Sequence, residues 1–179
     1  MNHQVREMTA ADAPALRDFF GSMPAEDRTF FFQDVNDPAV AWGWAGDERR
    51  LRRAAVDEQG RIVAFAALQP GVDWSSHVVD MVLVVAPEAR RAGLGRTLAR
   101  RMLLEAVEQG FKKVMVMIAA DNEAAIQMFS KMGFEPEALL RDQLRSPEDG
   151  TLRDVVIVAH LVDEVWSTML TAGFEEVTA

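Results

Sequence analysis

A basic run with two glycines is the part of the chain whose residue types and spacing best suit chemistry. A strand rich in valine precedes it, and an amphipathic helix follows it directly. Helix N-termini have unpaired N–H groups and partial positive charge, glycines let an anion approach closely, and arginines donate paired hydrogen bonds. The sequence therefore predicts a diphosphate site formed by Arg90, Arg91, Ala92, Gly93, Leu94, Gly95, Arg96 and Thr97.

Two other anion-binding motifs do not fit this run. A Walker loop must end in Gly-Lys-Ser or Gly-Lys-Thr, and the run contains no lysine. The dinucleotide fingerprint needs a third glycine, and Leu98 occupies that position. The motif that does fit the run is Arg-x-x-Gly-x-Gly, directly after a valine-rich strand. A loop with two turn glycines beside a solvated basic helix face is the structural alternative, which the flanking strand and helix make less favoured.

Hydrophobic periodicity and turn residues predict one mixed α/β sheet of about six to seven strands. The predicted strands are 4–8, 51–56, 61–68, 77–86, 113–119, 139–144 and 152–160. The first predicted helix follows a cap at Thr9 or Asp12. The other predicted helices occupy 24–32, 37–46, 93–109, a stretch from Asp121 or Asn122 to Met132, and 162–172. The strand at 77–86 is apolar on both faces apart from Asp80, which is typical of a strand inside a sheet.

Length and composition limit the classes of protein to consider. The 179 residues suffice for one domain, and the absence of cysteine excludes disulfide frameworks, thiolate metal sites and cysteine nucleophiles. The N-terminus lacks a signal-peptide core, and apolar runs such as Met81 to Ala86 are too short to span a bilayer. We therefore expect a soluble cytoplasmic protein without a membrane partner. The net charge of −9 disfavours nucleic acid, and three scattered histidines predict no metal.

Val84-Val85-Ala86-Pro87 through Gly95 resembles the signature of the GNAT-type N-acetyltransferase superfamily. A second segment, Asn122 to Phe134, is similar to that family's Asn-x-x-Ala helix ending in Gly-Phe. The resemblance implies a single domain with a mostly antiparallel, twisted sheet flanked by helices, and acetyl-CoA as cosubstrate. Residues 50–160 would then form the acetyl-CoA-binding core and 1–48 the acceptor-side helices, followed by a C-terminal helix within 162–175.

The same resemblance implies roles for individual residues. The basic loop would bind the pyrophosphate of coenzyme A, and the backbone of Val84 and Val85 would pair with the pantetheine arm. Asn122 and Phe129 would also belong to the cofactor site, with Phe129 packing on that arm. Many relatives carry a tyrosine at the position of Phe129 to protonate the leaving thiolate, whereas this chain contains no tyrosine. A thiol with a pKa of about 8.5 leaves readily, so the departure weakens a catalytic interpretation without excluding it.

Asp80 is the first candidate for the general base that amide formation requires. It lies where the buried strand begins, and partial burial would raise its pKa toward a useful range. His77 is the second candidate because its ordinary pKa suits proton transfer, although a surface role is the simpler interpretation. His160, in the final strand, is expected to be structural. The N–H of Val85 is the candidate donor to the oxyanion.

The residues leave the acceptor and the assembly open. An N-acetyltransferase acting on the primary amine of a small molecule or peptide is the first hypothesis. A non-catalytic acyl-CoA sensor and a nucleotide-binding module are the alternatives. The acidic charge slightly favours a cationic acceptor, and a homodimer through the final strand pair is left open. Core packing is expected, with an acceptor-pocket wall as the alternative, for Phe30, Phe31, Phe32, Trp42 and Trp44.

Overall fold

The computed structural model describes residues 3–31, 34–35, 37–47 and 51–162. The helices are α1 (Ala13–Ser22), α2 (Ala25–Arg28), α3 (Pro38–Gly46), α4 (Leu94–Glu108) and α5 (Glu123–Ser130). The strands are β1 (Gln4–Glu7), β2 (Leu51–Val56), β3 (Ile62–Pro70), β4 (Val78–Val85), β5 (Lys113–Ala119), β6 (Glu135–Arg145) and β7 (Leu152–Leu161). The predicted C-terminal helix, apart from Val162, lies outside the described residues, as do Phe32 and the side chain of Phe30.

All seven strands belong to one sheet, in the order β1-β2-β3-β4-β5-β7-β6. Neighbouring strands are antiparallel except for β4 and β5, which run parallel. That parallel ladder is short, because only residues 78–80 of β4 pair with residues 113–115 of β5. Beyond Asp80 the two strands separate, and the opening between 81–85 and 116–119 is called the cleft. The expected mixed, mostly antiparallel sheet is confirmed.

One face of the sheet is covered by α1 and α3 through an aromatic cluster. Phe65 of β3 meets Phe20 and Trp44 edge to face, with ring centroids 5.8 Å apart in both pairs. Phe31 completes the cluster, with its ring centroid 4.7 Å from that of Phe20 and 5.3 Å from that of Trp44. Such pairs stabilise a core beyond the area they bury. Core packing is therefore confirmed for Trp44, Phe31 packs in this core and also borders the cleft, and Trp42 is exposed.

The opposite face is covered by α4, which packs against β2, β3 and β4. Its apolar stripe is fully buried at Leu98, Ala99 and Met102. On β3, Ala64 and Ala66 are also fully buried, and their small side chains leave room for a helix to lie close to the sheet. This packing holds the N-terminus of α4 directly after the end of β4.

The region around Gly133 differs from the sequence prediction. Helix α5 ends at Ser130 rather than Met132, because Gly133 turns left-handed at φ 85° and the Phe134 N–H donates to the Phe129 carbonyl at 3.1 Å. Strand β6 then starts at Glu135 rather than Leu139, since its charged first residues and Pro136 hide the strand pattern. His160 is buried, with Nδ1 3.0 Å from the Gly133 carbonyl oxygen, which confirms its structural role.

Strand β6 forms the edge of the sheet and pairs irregularly with β7. One irregularity lies between Pro136 and Ala138, and a second lies between Leu140 and Leu144. Asp142, inside the second, has a φ of 52°. The row of backbone groups along this edge is therefore interrupted twice. No helix among the described residues is long and apolar enough to cross a membrane.

A buried carboxylate joins α4 to β2. Oε1 of Glu105 lies 2.9 Å from Nε of Arg53 and 2.6 Å from Nε of Arg101, and the Glu105 side chain is only 5% exposed. Arg53 also approaches Glu7 of β1 at 3.5 Å. The charge on Glu105 is thus compensated by two guanidinium groups, and the cluster ties α4 to two strands beneath it.

We expect Glu105→Gln to lower the free energy of unfolding by about 2–4 kcal/mol, because it removes the buried carboxylate that Arg53 and Arg101 share and leaves Arg53 with only the more distant Glu7. Urea denaturation measures the change. The matched variant Glu108→Gln alters an exposed residue of the same helix and should shift stability by less than about 0.5 kcal/mol. Equal effects of the two variants would contradict a role for the cluster in holding α4.

Candidate active site

The cleft contains an open cavity of about 870 Å³. β4 and β5 form its walls, the loop after β4 and the start of α5 close one end, and α2 with the end of β3 border the other side. The described residues contain no cluster of three or more metal-binding side chains. The lining residues predicted from sequence are Asp80, Val84, Val85, Arg90, Arg91, Gly93, Gly95, Arg96, Asn122 and Phe129.

The β4 wall presents unpaired backbone groups to the cavity. The Ala86 N–H donates to the Val63 carbonyl at 2.9 Å, so even-numbered residues of β4 turn their backbone groups toward β3. The odd-numbered residues turn theirs toward the cleft, where β5 pairs with them only as far as Asp80. Beyond that ladder, the residues whose N–H groups face the cleft are Leu83 and Val85. Val84 lines the cavity with its side chain, and its backbone faces away, which corrects the pairing role expected for it.

The β5 wall repeats this arrangement. The Ala120 N–H donates to the Asp154 carbonyl at 3.0 Å, so the even-numbered residues of β5 bond to β7. Met117 therefore turns its backbone groups toward the cleft, as does the N–H of Ala119, whose carbonyl accepts the Asn122 N–H at 2.9 Å. The cleft is consequently bordered by two short strand edges, one on each side, which an extended group containing amides can join by hydrogen bonds.

The loop after β4 directs N–H groups at one end of the cavity. Gly93 is the N-cap of α4 with a φ of 81°, and Arg91 has a φ of 64°. The first helical bond runs from the Thr97 N–H to the Gly93 carbonyl at 3.0 Å. The N–H groups of Leu94, Gly95 and Arg96 therefore have no partner within the helix. A left-handed residue followed by a helical one forms a concave nest that suits an anion.

Members of the predicted loop contribute unequally. Arg91 and Arg96 are exposed and line the cavity, as do Gly93 and Gly95. Leu94 is buried and offers only its backbone, while Ala92 and Thr97 are exposed and do not line the cavity. A Cβ atom on Gly95 would lie 3.4 Å from a methyl group of Val85, so this glycine allows the helix to approach the strand.

Arg90 is the loop arginine with protein partners. Its Nε donates to the Val85 carbonyl at 3.0 Å, and its Nη2 pairs with Oδ2 of Asp27 in α2 at 2.5 Å. The Val85 carbonyl is thereby occupied, while its N–H remains directed at the cleft. No sequence pattern signals Asp27, because it lies 63 positions from Arg90 along the chain.

Asp80 lies at the apex of the cleft, where the pairing of β4 with β5 ends. Its cross-strand neighbour Gln69 also lines the cavity. Crowding by surrounding protein atoms removes part of the hydration of Asp80 and raises its pKa, although its side chain still opens to the cavity. This is the direction expected from sequence. His77 is exposed before β4 begins and does not line the cavity.

Helix α5 contributes the opposite wall. Asn122 caps it, accepting a hydrogen bond from the Ala125 N–H at 3.1 Å. Phe129 is buried and stacks edge to face on Phe134, with ring centroids 5.0 Å apart. Its ring lines the cavity but has no proton to donate. Met128 beside it lines the cavity as well, a residue that the sequence patterns did not single out.

A family model described as the acetyltransferase (GNAT) family matches residues 15–134, more than half of the chain. The chain belongs to the GNAT acetyltransferase family. The resemblance seen in its two motifs is thereby confirmed.

Curated relatives of the GNAT chain carry several acetyltransferase names. It is 30% identical over 152 residues to the mycothiol acetyltransferase of Nocardia farcinica, covering 74% of the chain and 49% of that protein. It is 26% identical over 147 residues to the phosphinothricin N-acetyltransferase of Streptomyces viridochromogenes, covering 77% of each. The GNAT chain thus spans about half the length of the first of these proteins.

Solved structures share the fold of the GNAT chain. The phosphinothricin acetyltransferase of Sinorhizobium meliloti in complex with AcCoA superposes with a TM-score of 0.72 at 17% identity, over 92% of this chain and 90% of that one. A protein from Staphylococcus epidermidis described as a probable acetyltransferase gives a TM-score of 0.75 at 17% identity, over 90% of this chain and 100% of that one. At such identities the likeness establishes the fold.

Two glycine substitutions in the GNAT chain should have opposite effects on stability. Gly93→Ala should lower the free energy of unfolding by about 1–2 kcal/mol, because alanine resists the left-handed conformation. Gly43→Ala, in α3 with open space around it, should raise it by up to about 1 kcal/mol. Thermal and urea unfolding measure both. A stabilising Gly93→Ala would contradict the left-handed cap at the start of α4.

Proposed function

We propose that the GNAT chain transfers the acetyl group of acetyl-CoA to a primary amine by direct attack, with both substrates bound together. The observation that carries the proposal is the cleft, in which two free strand edges lead to a cluster of unpaired N–H groups at the start of α4. Such a site matches a ligand that joins an amide-containing arm to a diphosphate. The Sinorhizobium meliloti acetyltransferase, which shares this fold and was solved in complex with AcCoA, supports the assignment.

The pantetheine arm would lie along β4 and pair with one of the two cleft-facing N–H groups, that of Leu83 or that of Val85, which leaves the other for the reacting carbonyl. The diphosphate would accept hydrogen bonds from the N–H groups of Leu94, Gly95 and Arg96 at the helix N-terminus. The side chains of Arg91 and Arg96 would add positive charge there. On the other wall, the apolar ring of Phe129 would pack against the arm, and Asn122 would border it.

Asp80 would receive the proton that the acceptor amine must lose before attack. An amine with a pKa of about 10.4 costs roughly 4–5 kcal/mol to deprotonate at pH 7, so a nearby base with a raised pKa assists the step. The amine nitrogen then bonds to the thioester carbonyl carbon, the carbon–sulfur bond breaks, and the thiolate leaves. A cleft-facing N–H of Val85 or Leu83 would stabilise the oxyanion.

The phenylalanine at position 129 supports a second candidate function, an acyl-CoA sensor without turnover, because its ring gives the leaving thiolate no proton. The raised pKa of Asp80 favours the catalytic proposal instead, since a sensor has no need of a base at the cleft apex. Release of free thiol from acetyl-CoA in the presence of an amine panel separates the two. Binding without thiol release would select the sensor.

Acetyl-CoA binding should depend on the loop. We expect Arg91→Glu to weaken binding at least about ten-fold in calorimetric titration, because it places a carboxylate where the diphosphate is proposed to lie. The matched variant Arg141→Glu makes the same charge change at an exposed position of β6, outside the cavity lining. It should bind like the wild type. Absence of binding to both the wild-type chain and an Asp27→Asn variant, which lacks the carboxylate paired with Arg90, would overturn the proposed function.

Replacing Asp80, the candidate general base, should lower activity and change its pH dependence. Asp80→Asn should lower kcat/KM by roughly 10²–10⁴-fold and remove the acidic limb of its pH profile. His77→Gln and Asp73→Asn, two exposed positions before β4, should leave both nearly unchanged. An unaltered pH profile in Asp80→Asn would reject this residue as the base.

The same substitution should stabilise the chain at neutral pH. Because the pKa of Asp80 is raised in the folded chain, the folded state binds this proton more tightly than the unfolded state. Its contribution to stability is therefore lost as pH rises from the ordinary aspartate pKa through the raised value. The stability gain of Asp80→Asn should be present at pH 7 and vanish below about pH 3, as measured by urea unfolding.

A further inference from the structure

Helix α2 crosses the mouth of the cleft and carries two acidic side chains. The chain is anchored on either side of it, because Met23 and Phe31 are both only 4% exposed. Between these anchors, Glu26 and Asp27 occupy the first turn of α2. We call Ala25–Arg28 the acidic strap.

The acidic strap is paired with an arginine on each side of the cleft, one in the loop after β4 and one on β7, the neighbour of β5. On the β4 side, Asp27 pairs with Arg90 at 2.5 Å, and the same Arg90 is fixed to the Val85 carbonyl. On the far side, Glu26 lies 3.6 Å from Arg153 of β7, which also pairs with Asp121 at 2.7 Å.

The charged groups beside the acidic strap interact with one another. The pKa of Arg153 is raised, first by its hydrogen bond to Asp121 and further by the charges of Glu26 and Asp27. The strap is thus held by an arginine on each side of the opening. The Asp27 carboxylate is thus bound to the Arg90 guanidinium beside the start of α4. An anionic ligand at that place would bind the same guanidinium.

We propose that Asp27 is an internal competitor for the anion site: it holds Arg90 until the diphosphate of acetyl-CoA displaces it, and the strap is then released from the β4 wall. The inference rests on the proposed function, since it takes acetyl-CoA as the occupant of the cleft. Arg90 is consequently a shared partner, bound to Asp27 in the empty chain and to phosphate oxygens in the loaded one. No covalent step is involved.

Competition for one guanidinium differs measurably from simple repulsion between Asp27 and the phosphates. Repulsion acts whether or not residue 90 is an arginine, whereas competition requires that arginine. A double-mutant cycle on Asp27 and Arg90 separates the two, because residues that share a partner give non-additive changes.

The experiment is calorimetric titration of acetyl-CoA into the wild-type chain, Asp27→Asn, Arg90→Gln and the double variant. Asp27→Asn should bind about three- to five-fold more tightly, which is the range expected when a partly exposed ion pair no longer has to be broken. Arg90→Gln should bind more weakly. In the Arg90→Gln background, Asp27→Asn should change the affinity by less than about 1.5-fold.

Two controls fix the interpretation. Asp27→Glu keeps the charge and should bind like the wild type. Asp18→Asn makes the same change in net charge on α1, at an exposed residue paired with Arg17 at 3.0 Å, and should leave the affinity unchanged. Thermal unfolding verifies that each variant is folded.

Each outcome decides the matter. Tighter binding of Asp27→Asn that disappears in the Arg90→Gln background supports competition, and so does binding that only Asp27→Asn displays. An equal gain in both backgrounds, or no gain at all, overturns the competitor role while the proposed function stands, provided that the wild type binds. Failure of both the wild type and Asp27→Asn to bind acetyl-CoA overturns the strap together with the proposed function.

Discussion

The short parallel ladder between β4 and β5 is the constraint on which the rest of the structure depends. Three residues on each strand pair, and the strands then part. Buried backbone groups that lack partners destabilise a fold, so separating two central strands is tolerated only where water or a ligand satisfies them. The strands are held apart by different neighbours: β4 is paired with β3 and covered by α4, whereas β5 is paired with β7. The opening is therefore a property of the whole sheet rather than of one loop.

Much of this fold was accessible from sequence because its signals are local. A valine-rich strand, two glycines and an amphipathic helix occur within about thirty residues. The residue pattern of each segment indicates its own secondary structure. The structure confirmed the limits of β5 at Lys113–Ala119 and of β2 at Leu51–Val56. Strand β6 was misjudged at its start, since Glu135, Pro136 and Glu137 carry no alternating apolar pattern on an exposed edge.

The parts of the site that escaped prediction depend on distant pairing. Gln69 reaches Asp80 only through the register of β3 against β4, and Asp27 reaches Arg90 only because α2 folds over the cleft. The choice between Val84 and Val85 turns on which way each amide points. That direction is fixed by a single bond, from Ala86 to Val63, which no sequence pattern encodes. The sequence therefore indicated which types of residue belong to the site, whereas the contacts between them became visible only in the folded sheet.

The two interruptions along β6 bear on how copies of the chain can meet. A second sheet that extends this one needs an unbroken row of amides at a regular spacing, and β6 offers runs of only a few residues between Pro136, its first irregularity and Asp142. Continuous strand addition is thereby blocked at the outer edge. Without these interruptions, the exposed side chain of Leu139 would favour association with another copy at that edge. Irregular pairing at this edge thus opposes continuous strand addition by a second copy.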